Sequence, residues 1–263
     1  MATEAAVPAH ERVGAATGPV TVVLHGGGPG CRAASDFAAV LALRPERSWL
    51  LVDLPGYGGS AAPGAGPRVE VAARALLGLL DGLGLDRIDV LAQSYGGLVA
   101  LHVAAAASER IRRMVLVGCV PTPAPGGVPG LPVDTGLGAR LRADYSGDGR
   151  PDRDRMRALM AQAEWHDGTA VPETLVEARF RADRSAAGVE GALEDLGEHL
   201  AAVAAPVHLV WGRHDPFAGP AYATALADAL PRADLTVLAA TAHHPQSERP
   251  DTVAALVDAH LGS

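Results

Sequence analysis

The sequence predicts an α/β protein: a doubly wound, mostly parallel sheet with a helical segment inserted in its second half. Three observations predict it. Short runs dense in Val, Ile and Leu end in Gly, Pro or Asp, helical stretches separate them, and one long interval breaks the alternation. Runs that are apolar throughout suit strands buried on both faces of a parallel sheet. Strand and helix in turn give a sheet covered on both sides, with ligands held at the carboxyl ends of its strands.

The first such run covers residues 20–24, and the glycine-rich hexapeptide HGGGPG (25–30) follows it directly. The second, 49–52, runs into DLPGYGGS (53–60). A helical stretch over 69–83 leads to the third strand, 88–91, then to a helix over 98–107 and a strand over 114–117. Beyond Pro121 the rhythm fails. To about Ala204 the chain carries Pro- and Gly-rich segments and then charged helical stretches, with no clear buried strand. Residues 121–132 read as loop, because Pro and Gly together sustain neither helix nor ladder. An interval of roughly eighty residues far exceeds an ordinary connection. Residues 121–204 therefore read as a helical cap, or lid, over the sheet's carboxyl edge, with 1–120 and 205–263 forming the core domain. The alternation resumes with a strand at 207–211, a helix at 222–230, a strand at 235–238 and a helix at 252–261.

The length of 263 residues fits one such domain, and 48% hydrophobic with 20% charged residues is ordinary for a globular chain. With 22 Lys+Arg against 30 Asp+Glu the net charge is −8, which argues against nucleic acid or anionic membrane as a partner. Only Cys31 and Cys119 occur, too few for a disulfide framework and suited to a reducing compartment. Residues 1–18 are Ala-rich but broken by Glu4, Glu11 and Arg12, unlike a signal peptide, and no run has the length of a membrane span. A cytoplasmic protein with a small-molecule substrate is expected; homo-oligomerisation stays open.

Residues 88–99 read IDVLAQSYGGLV, an apolar strand, the turn Ala92-Gln93-Ser94-Tyr95-Gly96 and the start of a helix. A strand turning sharply into a helix lifts the middle residue above the sheet, and the flanks must be small because backbones pass closely there. Ala92 stands where glycine is usual, and it still fits. Ser94 is the candidate nucleophile, beside the N–H groups and positive dipole end of a helix. The bland alternative is a serine that merely caps the helix. In HGGGPG the glycines let the backbone approach a ligand with N–H groups pointing inward. A donor from Gly27 and one from Tyr95, the residue after the serine, would make an oxyanion hole. A phosphate loop fails on detail, since no Walker lysine follows and the dinucleotide glycine spacing is absent. His25 reads as a structural hydrogen-bonding residue.

The base and the acid come late. Asp215 ends the segment GRHD (212–215) after one strand, and His243 lies in ATAHHP (240–245) after the next. The order Ser94, Asp215, His243 is that of a nucleophile, the carboxylate that orients the base, and the base. Chance explains the order, but not three such residues each just past a strand end. A metal held by Asp215, His214 and His244 would need further ligands from elsewhere, so neither metal nor cofactor is expected.

With these residues the chain resembles the α/β-hydrolase superfamily over nearly its full length. It further resembles the meta-cleavage product hydrolases, which cut carbon–carbon bonds in vinylogous 1,5-diketones, through residues 25–30, DLPGYGGS, WGRHDP (211–216) and ETLVEARFR (173–181). The resemblance implies a cap arginine, here Arg179, that contacts a substrate carboxylate. It favours His243 over His244, because AHHPQSERP matches the superfamily's small-His-x-Pro-x-x-Glu-x-Pro ending. Three positions depart: Gln93 and Asp36 stand where that family usually has asparagine, and His244 where it has tryptophan. With Gly28 these residues are the substrate-binding candidates, and their joint departure points to shared machinery with a different substrate. The expected activity is a serine hydrolase forming an acyl-enzyme on an ester, a lactone or an activated carbon–carbon bond. A lyase, an acyltransferase, a cofactor-free dioxygenase or a ligand-binding receptor on the same fold is the alternative.

Overall fold

The computed structural model describes residues 6–120, 136–147, 151–183 and 194–262. Its sheet contains β1 (His10–Gly14), β2 (Val20–Leu24), β3 (Ser48–Val52), β4 (Ile88–Gln93), β5 (Ile111–Val117), β6 (Val207–Gly212) and β7 (Ala233–Leu238). The spatial order is β1-β3-β2-β4-β5-β6-β7. β2 to β7 are parallel, and β1 runs antiparallel along the β3 edge, with Arg12 opposite Leu50. The six runs read from the sequence are six of these strands. The seventh, β1, went unread because HERVG is almost wholly exposed and so carries no apolar run.

Side chains alternate across a strand, and here the alternation divides the core in two. Val22, Leu24, Leu50, Val52, Val90, Leu116, Leu209 and Trp211 face one layer, with α3 (Arg68–Gly82), α4 (Tyr95–Ala106) and α8 (Pro220–Ala229). Val23, Trp49, Leu51, Leu91, Val115 and Val210 face the other. There they meet the short helices α1 (Ala33–Asp36) and α2 (Ala38–Leu43), and α10 (Pro250–Leu261) behind α9 (Pro245–Glu248). Burying each such side chain stabilises the fold by about 1.5–3 kcal/mol before entropy is charged against it. α4 is apolar all round and buried nearly all round, as befits a helix in the middle of a core. Gly96 and Gly97 let it lie that close: a Cβ at Gly97 would sit 2.5 Å from Cys119 Cβ, and one at Gly96 2.7 Å from the Leu24 carbonyl oxygen.

Between β5 and β6 the described residues hold α5 (Leu137–Ser146), α6 (Arg153–Ala163) and α7 (Glu173–Ala182), and no strand. These helices have their own apolar cluster, including Tyr145, Met156, Met160, Trp165 and Val176, joined from the core by Phe217. The chain re-enters the main core at Leu196, Leu200 and Val203. The 121–132 loop lies outside the described residues. Both cysteines are buried and unpaired. No described helix is long and apolar enough to cross a membrane.

Candidate active site

The site assembles where β2, β4, β5, β6 and β7 end. At the turn from β4 to α4, Ser94 takes φ 48°, ψ −116°, a backbone state that costs a non-glycine residue roughly 1–3 kcal/mol. Flanking hydrogen bonds hold it there: its N–H donates to the Val117 carbonyl at 2.9 Å, and its own carbonyl accepts from Gly97 N and Leu98 N. From 88 to 101 every residue is buried except Ser94. The turn thus presents one hydroxyl, and α4 begins at the very next residue, Tyr95.

The glycine loop presses against that turn. A Cβ on Gly26 would lie 2.1 Å from Gln93 Oε1, and one on Gly27 3.2 Å from Tyr95 Cβ, so larger residues would push the loop away from the serine. His25 Nδ1 faces the Gly26 carbonyl at 2.7 Å, and Nε2 accepts from Leu54 N at 2.9 Å. Those partners require the proton on Nδ1, and burial lowers the pKa, so His25 is a neutral strut between the loops. The Gly27 carbonyl accepts from Tyr57 Oη at 2.9 Å and from Arg142 Nη1 at 3.2 Å. Arg68 in turn donates to Tyr57 Oη and lies 4.3 Å over the Tyr95 ring.

His243 and Asp215 meet as the sequence order requires. Nδ1 of His243 lies 2.7 Å from Asp215 Oδ2, both side chains being buried. Asp215 Oδ1 accepts from Phe217 N at 2.9 Å, and the Phe217 ring packs 4.4 Å from the imidazole. The pair fits because Gly118, at φ 53°, carries no side chain: a Cβ there would stand 3.0 Å from His243 Nδ1. From below, Gln93 Nε2 donates to the His243 carbonyl at 3.2 Å. Glu248 spans two elements, accepting from Ala242 N through Oε1 and from His166 N through Oε2, both at 2.7 Å.

Arg179, Asp36, His244 and Gly28, scattered in sequence, form one buried cluster around a residue the sequence reading passed over, Glu164. Arg179, with 0% of its side chain exposed, donates from Nε to Asp36 Oδ1 at 2.8 Å and from Nη1 to Glu164 Oε1 at 3.0 Å. Burial works against its charge, but Asp36, Cys31 and Glu164 outweigh it and hold the guanidinium firmly protonated. His244 stacks on Trp165, with Nε2 3.5 Å from Glu164 Oε2; burial, then Arg179 and His243, keep its pKa far below the usual value. A Cβ on Gly28 would lie 3.3 Å from Arg179 Nη1, and one on Gly30 1.9 Å from the Arg179 carbonyl oxygen. Glu164, Arg142 and Gly118 carry no local signature, since each matters only through what the fold sets beside it. Tyr57 lies in DLPGYGGS, where only its motif could have marked it. His214 stacks with His166 at 4.1 Å, away from the cluster.

The alpha/beta hydrolase family description matches residues 21–256. The chain belongs to that family. The hydrolase is 30% identical over 248 residues, 88% of its length and 82% of the relative's, to a 2-hydroxy-6-oxononadienedioate/2-hydroxy-6-oxononatrienedioate hydrolase of Dechloromonas aromatica. It is 28% identical, over 90% of its length and 85% of the relative's, to a 2-hydroxy-6-oxo-6-phenylhexa-2,4-dienoate hydrolase of Comamonas testosteroni. Among solved structures it superposes with TM-score 0.79 on the 2-hydroxy-6-oxo-6-phenylhexa-2,4-dienoate hydrolase of Rhodococcus sp. strain RHA1, at 26% identity over 98% of both chains. The likeness to meta-cleavage product hydrolases read from the sequence is therefore borne out.

Proposed function

We propose that this hydrolase works through Ser94, His243 and Asp215 on an ester, a lactone or an activated carbon–carbon bond of a small organic molecule. The observation that carries the reading is the coincidence, at one sheet edge, of a strained and partly exposed Ser94 with the 2.7 Å His243–Asp215 pair. Asp215 Oδ2 accepts a hydrogen bond from Nδ1–H of His243, which fixes that tautomer and leaves Nε2 free to accept the serine proton. Ser94 Oγ then adds to the substrate carbonyl, and the backbone N–H groups of Gly27 and Tyr95 receive the developing negative charge; one such donor is worth about 10²–10³ in rate. Collapse breaks the bond to the leaving group. The His243 imidazolium returns its proton to the departing alkoxide, giving an alcohol, or in the carbon–carbon branch to the departing carbanion of a previously ketonised substrate, and an acyl-enzyme is left. Water activated by His243 hydrolyses it.

In this reading α5, α6 and α7 act as the cap, and residues 121–204 as the inserted unit that determines what fits and keeps bulk water out. Gln93, which holds the His243 backbone, and Tyr57 and Arg142, which hold Gly27, position the reacting groups. The test is hydrolysis of short p-nitrophenyl esters and of the 6-phenyl dienoate, with fluorophosphonate labelling of Ser94. Turnover and labelling should both vanish in S94A, turnover by several orders of magnitude. An S94A protein that keeps its activity would refute the acyl-enzyme.

A further inference from the structure

The cluster around Arg179 has no uncompensated positive charge, even though burial raises the pKa of Asp36. One guanidinium is met by two carboxylates, Asp36 at 2.8 Å and Glu164 at 3.0 Å, and His244 is neutral. All four side chains are buried. In the cluster Asp36 Oδ2 and Glu164 Oε2 are acceptors left without a hydrogen bond and Arg179 Nη2 is a donor left so; around it Gln93 Oε1 and Gln246 Oε1 are further acceptors and Arg68 Nε a further donor. The cluster borders both the oxyanion loop, through Gly28, and the histidine loop, through His244. A buried cation attracts an anionic ligand only while its charge is uncompensated, and two buried charges of one sign at contact distance repel strongly.

From this charge balance we infer that this end of the site excludes a substrate carboxylate: Glu164 already occupies Arg179 as an internal carboxylate, and the part of the substrate that reaches it, acyl chain or leaving group, is uncharged there. The inference rests on the Ser94 reading and narrows its substrate class. It also sets this chain apart from relatives whose names specify dienoates and dienedioates. A hydroxyl, amide or plain alkyl terminus meets no repulsion, and the first two can donate to the orphan acceptors.

The experiment compares matched esters that differ only in one terminal carboxylate: on the acyl side p-nitrophenyl hexanoate against mono-p-nitrophenyl adipate, and on the leaving-group side 4-(methoxycarbonyl)phenyl against 4-carboxyphenyl hexanoate, the side with the larger ratio reporting on this end of the site. The expected kcat/KM ratio favours the neutral member by about 100-fold or more, and E164Q lowers that ratio at least about tenfold, mainly through KM for the acidic ester. The ratio within one variant is the readout, because a merely structural role for Glu164 would depress both esters alike and leave it unmoved. D36N, which removes the other negative charge and keeps the acceptor on Arg179, is read in the same way and stands in if E164Q fails to fold. Acidic esters used as well as their neutral partners on both sides, or a ratio unchanged in both variants, overturn the inference while Ser94-dependent turnover persists. Loss of Ser94-dependent turnover on every ester refutes the serine-hydrolase reading itself and takes the inference with it.

Discussion

Replacing Asp215 by asparagine removes the orienting charge without emptying its place. In the native site Oδ1 accepts from the Phe217 backbone N–H at 2.9 Å and Oδ2 from His243 Nδ1 at 2.7 Å. Asparagine offers one acceptor oxygen and one donor nitrogen. The Phe217 N–H is a fixed donor, so the asparagine oxygen must stay on it and the amide nitrogen must turn towards His243. Nδ1 then has to accept, and the imidazole proton moves to Nε2, the atom a base needs free. A reversed tautomer of this kind costs about 10⁴ in kcat, or roughly 5.4 kcal/mol at about 1.36 kcal/mol per tenfold. Both hydrogen bonds keep a partner, so the melting temperature should move by less than about 4 °C, the effect of about 1 kcal/mol in a chain this long. The assay is kcat for p-nitrophenyl hexanoate at neutral pH, beside a thermal melt. A folded D215N enzyme retaining more than about a tenth of wild-type kcat would refute the tautomer argument.

Gly30→Ala places a Cβ 1.9 Å from the Arg179 carbonyl oxygen at φ +67°; left-handed strain and overpacking together cost about 2–5 kcal/mol, and calorimetry should show a melting point lower by roughly 5–15 °C. His25 and His244 are buried with lowered pKa values. The unfolded chain therefore binds their protons first as pH falls below about 6.5, and stability drops by up to ~1.4 kcal/mol per pH unit for each. Urea titrations between neutral and mildly acidic pH should show that slope, and H244Q should flatten it; a slope of opposite sign contradicts the neutral-histidine assignment. Burial pushes the Cys119 thiol up to about 12 and the Cys31 thiol well up. Neither should react with a thiol reagent in the native state, both should on unfolding, and mass spectrometry counts the adducts.

What the sequence made legible followed from local physics. Val20–Leu24 and Ile88–Gln93 are apolar throughout because both their faces are covered, so composition alone marks them. Ser94 was legible because small neighbours at a strand-to-helix turn have few other uses. β1 was not, since an exposed edge strand held by backbone pairing with β3 needs no apolar code. Glu164 escaped for a different reason: a glutamate after a charged helix looks like any solvated residue until Arg179, fifteen positions on, folds back against it. Arg179 shows the limit from the other side. Its motif marked it as noteworthy, but only the fold revealed that its charge is already claimed.

Glu248 gives the site a mechanical property as well as a chemical one. Its two oxygens are shared between Ala242, next to the candidate base, and His166, which belongs to the inserted segment. A load that lifts the helices between β5 and β6 from the sheet is therefore borne in part by the carboxylate that also anchors the histidine loop. Together with the His244–Glu164 and Arg179–Asp36 contacts it couples the fit of those helices to the setting of the histidine loop, so that slack in one is felt by the other.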